Sequence, residues 1–243
     1  MKKLLSILTL ILTLSSNHLL AKQPSPAKND EYVVILHGIA RSKDHMADLA
    51  EFLQQNGYHT VNINYPSTKY PLKKLSQIIQ KEITSQVPPK STVNFVGYSM
   101  GGLLIRIILQ DAQYENLGKA VQLAPPNNGS EVADFIKNNW LYQKIYGPAG
   151  QQLTTDQKRI NHLLNGKITY PLGVIAGNFS IDPISSAIIP GDDDGKVSIA
   201  STKIDGMQDH IIIKSSHTFF PSNKNVQKQV LHFLKFGKFK KPL

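Results

Sequence analysis

Covalent chemistry is written most directly into Gly97-Tyr98-Ser99-Met100-Gly101-Gly102. An apolar run from Val93 to Val96 precedes it and a strongly apolar helical run from Leu103 to Leu109 follows. A G-x-S-x-G turn between a strand and a helix forces the serine into a strained backbone that lifts its hydroxyl above a sheet. Positions two before and two after the serine come too close to other backbone for side chains, hence Gly97 and Gly101. The helix starting at the turn directs its free N–H groups and the positive end of its dipole at the hydroxyl.

A hydroxyl needs a base to become a nucleophile, and the base needs an acid to orient it. With a nucleophile on a strand–turn–helix elbow, the chain order is serine, acid, histidine. Four histidines lie downstream. His162 falls in a long interval without strands, His210 opens the last strand, and His232 lies in the last helix. His217 follows that last strand, in Ser215-Ser216-His217-Thr218-Phe219, and is the expected general base. The expected acid is Asp194 of Gly191-Asp192-Asp193-Asp194-Gly195-Lys196-Val197, with Asp192, Asp193 and Asp182 as alternatives. Three adjacent aspartates also suit a solvated turn or a cation site. Calcium-loop spacing fails, because Pro190 would occupy the first ligand position. An oxyanion needs two N–H donors: the Met100 amide beside the serine, and the Ile39 amide from the loop after the first strand, His37-Gly38-Ile39. His37 precedes the serine and is expected to fix that loop rather than to catalyse.

Short apolar runs alternating with helical patterns must position these groups. Tyr32–Leu36, Val61–Ile63, Val93–Val96, Ala120–Leu123, Leu172–Ala176 and Ile211–Ile213 read as strands. Apolar residues at helical spacing in 46–53, 72–83, 103–109 and 226–234 read as helices. Strands flanked by helices imply βαβ units and a mostly parallel sheet covered on both faces, with chemistry at the carboxyl ends of the strands. One interval breaks the alternation: a cap insertion of about 125–170 holds Phe135, Ile136, Trp140, Leu141, Ile145 and Tyr146. It is expected to form its own helices over the site. Phe135 and Trp140 are the expected substrate contacts; the alternative is that these side chains pack the insertion onto the body.

The chain has 243 residues, 41% apolar and 18% charged, with a formal charge of +10. That is a globular composition, and one domain over 31–243 accounts for it. Only three of the 27 cations are arginines (Arg41, Arg106 and Arg159), which argues against nucleic acid and for a solvated lysine surface suited to peripheral contact with anionic membranes. The absence of cysteine excludes disulfides, cysteine-ligated zinc and thiol catalysis. Residues 1–21 combine a cationic start, a short apolar run and a small residue, Ala21. They read as a signal peptide for export, followed by a flexible leader at 22–30 holding Pro24 and Pro26.

With these motifs in view, the chain resembles the α/β-hydrolase superfamily, and within it the bacterial lipase/esterase group. The resemblance spans roughly 31–236 and rests on His37-Gly38, Gly97 to Gly102, Pro125-Pro126-Asn127-Asn128-Gly129-Ser130, Asp194-Gly195-Lys196-Val197 and Ser216-His217-Thr218-Phe219. It implies an α/β-hydrolase fold, triad roles for Ser99, Asp194 and His217, and oxyanion roles for Ile39 and Met100. Related lipases often carry Thr-Pro-His before Gly-Ser after the fourth strand; here Ala124-Pro125-Pro126-Asn127-Asn128 stands instead. Some relatives bind calcium near the acid loop, but no sufficient ligand set stands here, so neither metal nor cofactor is expected. The expected activity is hydrolysis of an ester or lipid small molecule. The same triad could cleave thioesters, phospholipid acyl bonds or amides. The rivals of another class are a non-catalytic binding module and a membrane-surface protein acting through Lys235, Lys238, Lys240 and Lys241.

Overall fold

Runs of β-branched and aliphatic residues bury both faces of the four inner strands of one six-stranded sheet, while its two edge strands keep a part-exposed face. The computed structural model describes residues 31–241; the expected signal and leader segments lie outside the described residues. The strands are β1 Glu31–Leu36, β2 His59–Ile63, β3 Thr92–Tyr98, β4 Leu117–Leu123, β5 Leu172–Gly177 and β6 Asp209–Ile213. They pair in the order β2-β1-β3-β4-β5-β6, every pair parallel.

The helices are α1 Ala47–Gln55, α2 Leu72–Gln86, α3 Met100–Asp111, α4 Glu131–Ile136, α5 Trp140–Gly150, α6 Gln157–Leu163, α7 Pro183–Ile188, α8 Ile199–Thr202 and α9 Lys224–Phe236. The chain steps from β1 to β2 in one direction and then crosses to β3 on the other side of β1. Right-handed crossovers in opposite directions place their helices on opposite faces. Alternate residues of β1 divide accordingly. Val33 and Ile35 pack with Leu49 and Leu53 of α1 and with Val230 and Phe233 of α9. Val34 and Leu36 pack with Leu75 and Ile79 of α2 and Leu104 and Ile108 of α3. The same reversal makes the carboxyl ends of β1 and β3 neighbours, where an open parallel sheet forms its crevice.

Between β4 and β5 the chain forms α4, α5 and α6. Ser130, Asn139 and Asp156 cap their amino ends through their side chains. Pro148 interrupts α5 where Gly147 adopts φ 59°, so its last turn runs in a new direction. Ala133, Tyr142, Leu153, Ile160 and Leu164 are buried in the same cluster as α2 and α3, which anchors the segment to the body. Among the described residues no helix is long and apolar enough to cross a membrane. Phe95 on β3 is fully buried. Phe95→Ala is expected to cost about 3–5 kcal/mol in chemical denaturation; a loss below about 1 kcal/mol would show that the centre of the sheet is not close-packed.

Candidate active site

The turn after β3 has the strain its sequence demands. Ser99 adopts φ 54° and ψ −121°, and its side chain is almost enclosed. The Ser99 N–H donates to Leu123 O at 2.8 Å, and its carbonyl accepts from Gly102 N–H at 2.9 Å. A Cβ on Gly97 would stand 2.5 Å from Gly101 O, and one on Gly101 would stand 2.5 Å from Leu36 O. The strand, the turn and the neighbouring β1 therefore close on each other at backbone distance.

His217 lies in a 3-10 turn, His217–Phe219, just beyond β6. Its Nδ1–H donates to Asp194 Oδ2 at 2.8 Å, which leaves Nε2 as an acceptor, and the Ser99 hydroxyl is 3.1 Å from it. The backbone of this turn is also held: His217 N–H donates to Asp194 O at 2.8 Å, and the Tyr98 hydroxyl donates to His217 O at 2.8 Å. His45 Nε2–H donates to Thr218 O at 3.0 Å. Burial lowers the proton affinity of His45, and the nearby Arg41 and His217 lower it further against that hydrogen bond.

Asp194 is only 2% exposed. Its second oxygen, Oδ1, accepts from the amides of Lys196 at 3.0 Å and Val197 at 2.9 Å. Gly195 makes this loop possible with φ 95°. The other three acids are occupied elsewhere or face solvent. Asp193 accepts from Ser186 Oγ and Gly195 N–H, Asp182 caps α7 and pairs with Lys196 Nζ at 2.7 Å, and Asp192 is exposed. His162 and His232 sit on α6 and α9, and His210 contacts Thr202 from β6.

Ile39 borders the same cavity as Ser99, and Met100 follows Ser99 at the start of α3. Among the described residues, neither amide donates to a backbone carbonyl. The loop carrying Ile39 is pinned by groups without catalytic contact. His37 is fully buried; its Nδ1–H donates to Gly38 O at 2.8 Å and its Nε2 accepts from Tyr65 N–H at 3.3 Å. The Tyr65 hydroxyl donates to His37 O, and the two rings stack with centroids 4.0 Å apart. Ala40 takes a left-handed backbone, φ 52°, with its N–H on Ser67 Oγ at 3.1 Å. Sequence reasoning missed Ser67 and Tyr65, since nothing in their neighbourhood separates them from ordinary loop residues.

A cavity of about 320 Å³ opens over Ser99 and His217. Its apolar wall comes from the insertion: Val132, Ala133, Ile136, Tyr142, Tyr146 and Leu153. Phe135 and Trp140, the expected substrate contacts, are not part of that wall; each is 70% exposed on the outer side. In α5 the cavity takes Tyr142 and Tyr146, and helical geometry then turns Trp140, Leu141 and Ile145 outward. Arg106 on α3 ties the insertion to the elbow, donating to Asn127 Oδ1 at 3.1 Å at its entry and to Leu164 O at 3.0 Å at its exit. Burial lowers this guanidinium to about 10.

The parallel sheet, the serine elbow at the end of β3 and the helices on both faces define an α/β-hydrolase fold. Over residues 32–167, more than half of its length, the chain matches the family model described as palmitoyl protein thioesterase, and it belongs to that family. The mature form of the Bacillus licheniformis lipase BlEst2 superposes with a TM-score of 0.70 at 20% identity, over 89% of this chain and 94% of that one. The metagenomic carboxyl esterase MGS0156 gives 0.66 at 17% identity, over 84% and 70%. An extracellular α/β-hydrolase from a Paenibacillus species gives 0.57 at 14% identity, over 83% and 97%. No curated protein matches the sequence. That family description names a thioesterase, a hydrolase, and the solved structures share the fold.

Two outcomes are expected. Gly101→Ala pushes a methyl into the carbonyls of Leu36 and His37, so it should cost about 1–3 kcal/mol of stability; an unchanged melting temperature would show that β1 and the elbow are free to separate. Burial lowers the proton affinity of His37 from the ordinary value of 6.5. Above that value both folded and unfolded states are neutral. Below it the unfolded chain takes up the proton first, so stability falls as the pH falls. The melting temperature should therefore drop between about pH 7 and about pH 5, and drop less in His37→Gln; equal drops would remove His37 as the cause.

Proposed function

We propose that the protein is a serine hydrolase that cleaves carboxylic esters through an acyl-enzyme, with Ser99 as nucleophile, His217 as general base and Asp194 as the orienting acid. The observation that supports it most is the unbroken hydrogen-bonded chain from Ser99 Oγ through His217, at 3.1 Å, to Asp194, at 2.8 Å. Ser99 attacks the acyl carbonyl and His217 takes its proton. The imidazolium is stabilised by a carboxylate whose own lone pairs are already satisfied by the Lys196 and Val197 amides. The oxyanion accepts from the Ile39 and Met100 amides, and the dipole of α3 favours the charge. His217 then protonates the leaving alcohol, and afterwards deprotonates the water that releases the acid. No cofactor takes part. The acyl chain lies against Ile136 and Tyr146, and the signal peptide at 1–21 directs the enzyme to export.

Thioester cleavage by the same groups is the second reading, favoured by the family match over 32–167. A better leaving group needs less help from His217, so matched ester and thioester substrates of one acyl length separate the two.

Ser99→Ala is expected to abolish hydrolysis of short acyl esters with the fold intact. Asp194→Asn should lower kcat by about 10⁴-fold, since an amide favours the wrong imidazole tautomer. Turnover within tenfold of the unaltered enzyme in either variant would reject the assignment. Ile136→Ser should weaken long acyl chains more than short ones, whereas Phe135→Ser should not distinguish them; equal effects would remove the insertion from the acyl pocket.

A further inference from the structure

We propose that Arg41 selects substrates whose alcohol half carries a phosphate, so that the enzyme prefers acyl esters of phosphorylated alcohols to neutral ones. The proposal rests on Ser99 being the nucleophile. The cavity over Ser99 is divided in character. One wall is aliphatic and aromatic, supplied by α4, α5 and Leu153. Its lining also includes two exposed cations, Arg41 and Lys196, and among the described residues no aspartate or glutamate borders it. Asp194, the one carboxylate behind His217, is enclosed and already accepts from three N–H groups.

The two cations differ. Lys196 Nζ is paired with Asp182 at 2.7 Å and donates to Ser185 Oγ at 3.1 Å. Arg41 forms no ion pair among the described residues, although its side chain offers a fork of five N–H donors. Its position is built rather than loose. The left-handed Ala40, held by Ser67 Oγ, turns the chain directly after Ile39, and this makes Arg41 border the same cavity as Ser99 and His217. Arg41 also lies on the His217 side of the site. Its charge helps to hold down the proton affinity of His45, whose ring supports Thr218, and it opposes the burial that raises the Tyr98 hydroxyl, which supports His217.

That side is where the leaving alcohol must be, because His217 delivers its proton there. An acyl chain on the apolar wall and a carbonyl on Ser99 leave the alcohol half directed past His217 to the mouth. A phosphate on it would meet a planar guanidinium that can bind two oxygens at once. Neutral alcohols gain nothing from that contact, so Arg41 acts on selectivity.

The test compares kcat/KM for 1-hexanoylglycerol and 1-hexanoylglycerol 3-phosphate, which share the acyl chain and scissile bond. The phosphate ester should be preferred, and Arg41→Gln should lower the ratio of the two about tenfold or more. Arg41→Lys should retain part of the preference, mainly through KM. Lys228→Gln removes an equal charge from α9, outside the cavity, and should leave the ratio alone. A ratio unaffected by Arg41→Gln, or lowered as much by Lys228→Gln, would overturn the proposal in favour of general attraction to a basic surface. Inorganic phosphate that alters neutral-ester turnover while the ratio stays fixed would mark a free-anion site and overturn it as well. Failure of the hydrolase assignment looks different: neither ester is turned over, or Ser99→Ala turns them over like the unaltered chain.

Discussion

One residue at this site is held where L-amino acids seldom go. Ser99, at φ 54° and ψ −121°, carries strain on the order of 1–3 kcal/mol. The surroundings over-determine it: its amide is bound by β4, its carbonyl by Gly102, and the two flanking glycines let three backbones meet with no side chain between them. Relaxing the turn would swing the hydroxyl away from His217 and would also move the Met100 amide. The Ser99 hydroxyl, the Met100 amide and the first turn of α3 are thus a single mechanical unit.

The topology of the sheet supplies the rest by placement. Because the chain reverses direction between β1 and β3, the His37–Arg41 loop lies directly beside the elbow. Loops after β5 and β6 bring Asp194 and His217 to the same rim, and the backbone bond from His217 N–H to Asp194 O at 2.8 Å fixes one to the other before their side chains meet. The buried Arg106, with no carboxylate partner among the described residues, joins α3 to both ends of the inserted segment. The inserted segment that supplies the apolar wall of the cavity is thus tied to α3 at both of its ends.

Much of this was legible in residue order, for identifiable reasons. The inner strands, buried on both faces, appear as mostly apolar runs; the edge strands β2 and β6 were readable from shorter ones, as were α1, α2, α3 and α9 from their amphipathic spacing. The elbow was legible because its steric demands fall on adjacent residues. Choosing among Asp182, Asp192, Asp193 and Asp194 was harder, since what separates them is reach across the loop after β5, which spacing does not encode. The insertion was the least legible part. Apolar residues occur all around α5, so periodicity could not say that Tyr142 and Tyr146 face the cavity while Trp140 faces out. Ala40 and Ser67 left no mark, because a left-handed alanine and a single serine hydrogen bond have no compositional signature. The short α7 and α8 were likewise invisible, being too brief to show a period.

The central claim is that the Ser99 hydroxyl is made nucleophilic by His217, and reaction with a fluorophosphonate tests it without reference to any substrate. One equivalent of phosphonyl label should map to Ser99 and extinguish hydrolysis, and His217→Ala should slow its uptake severely. Label found on another residue, or hydrolysis that continues after Ser99 is fully modified, would contradict the account.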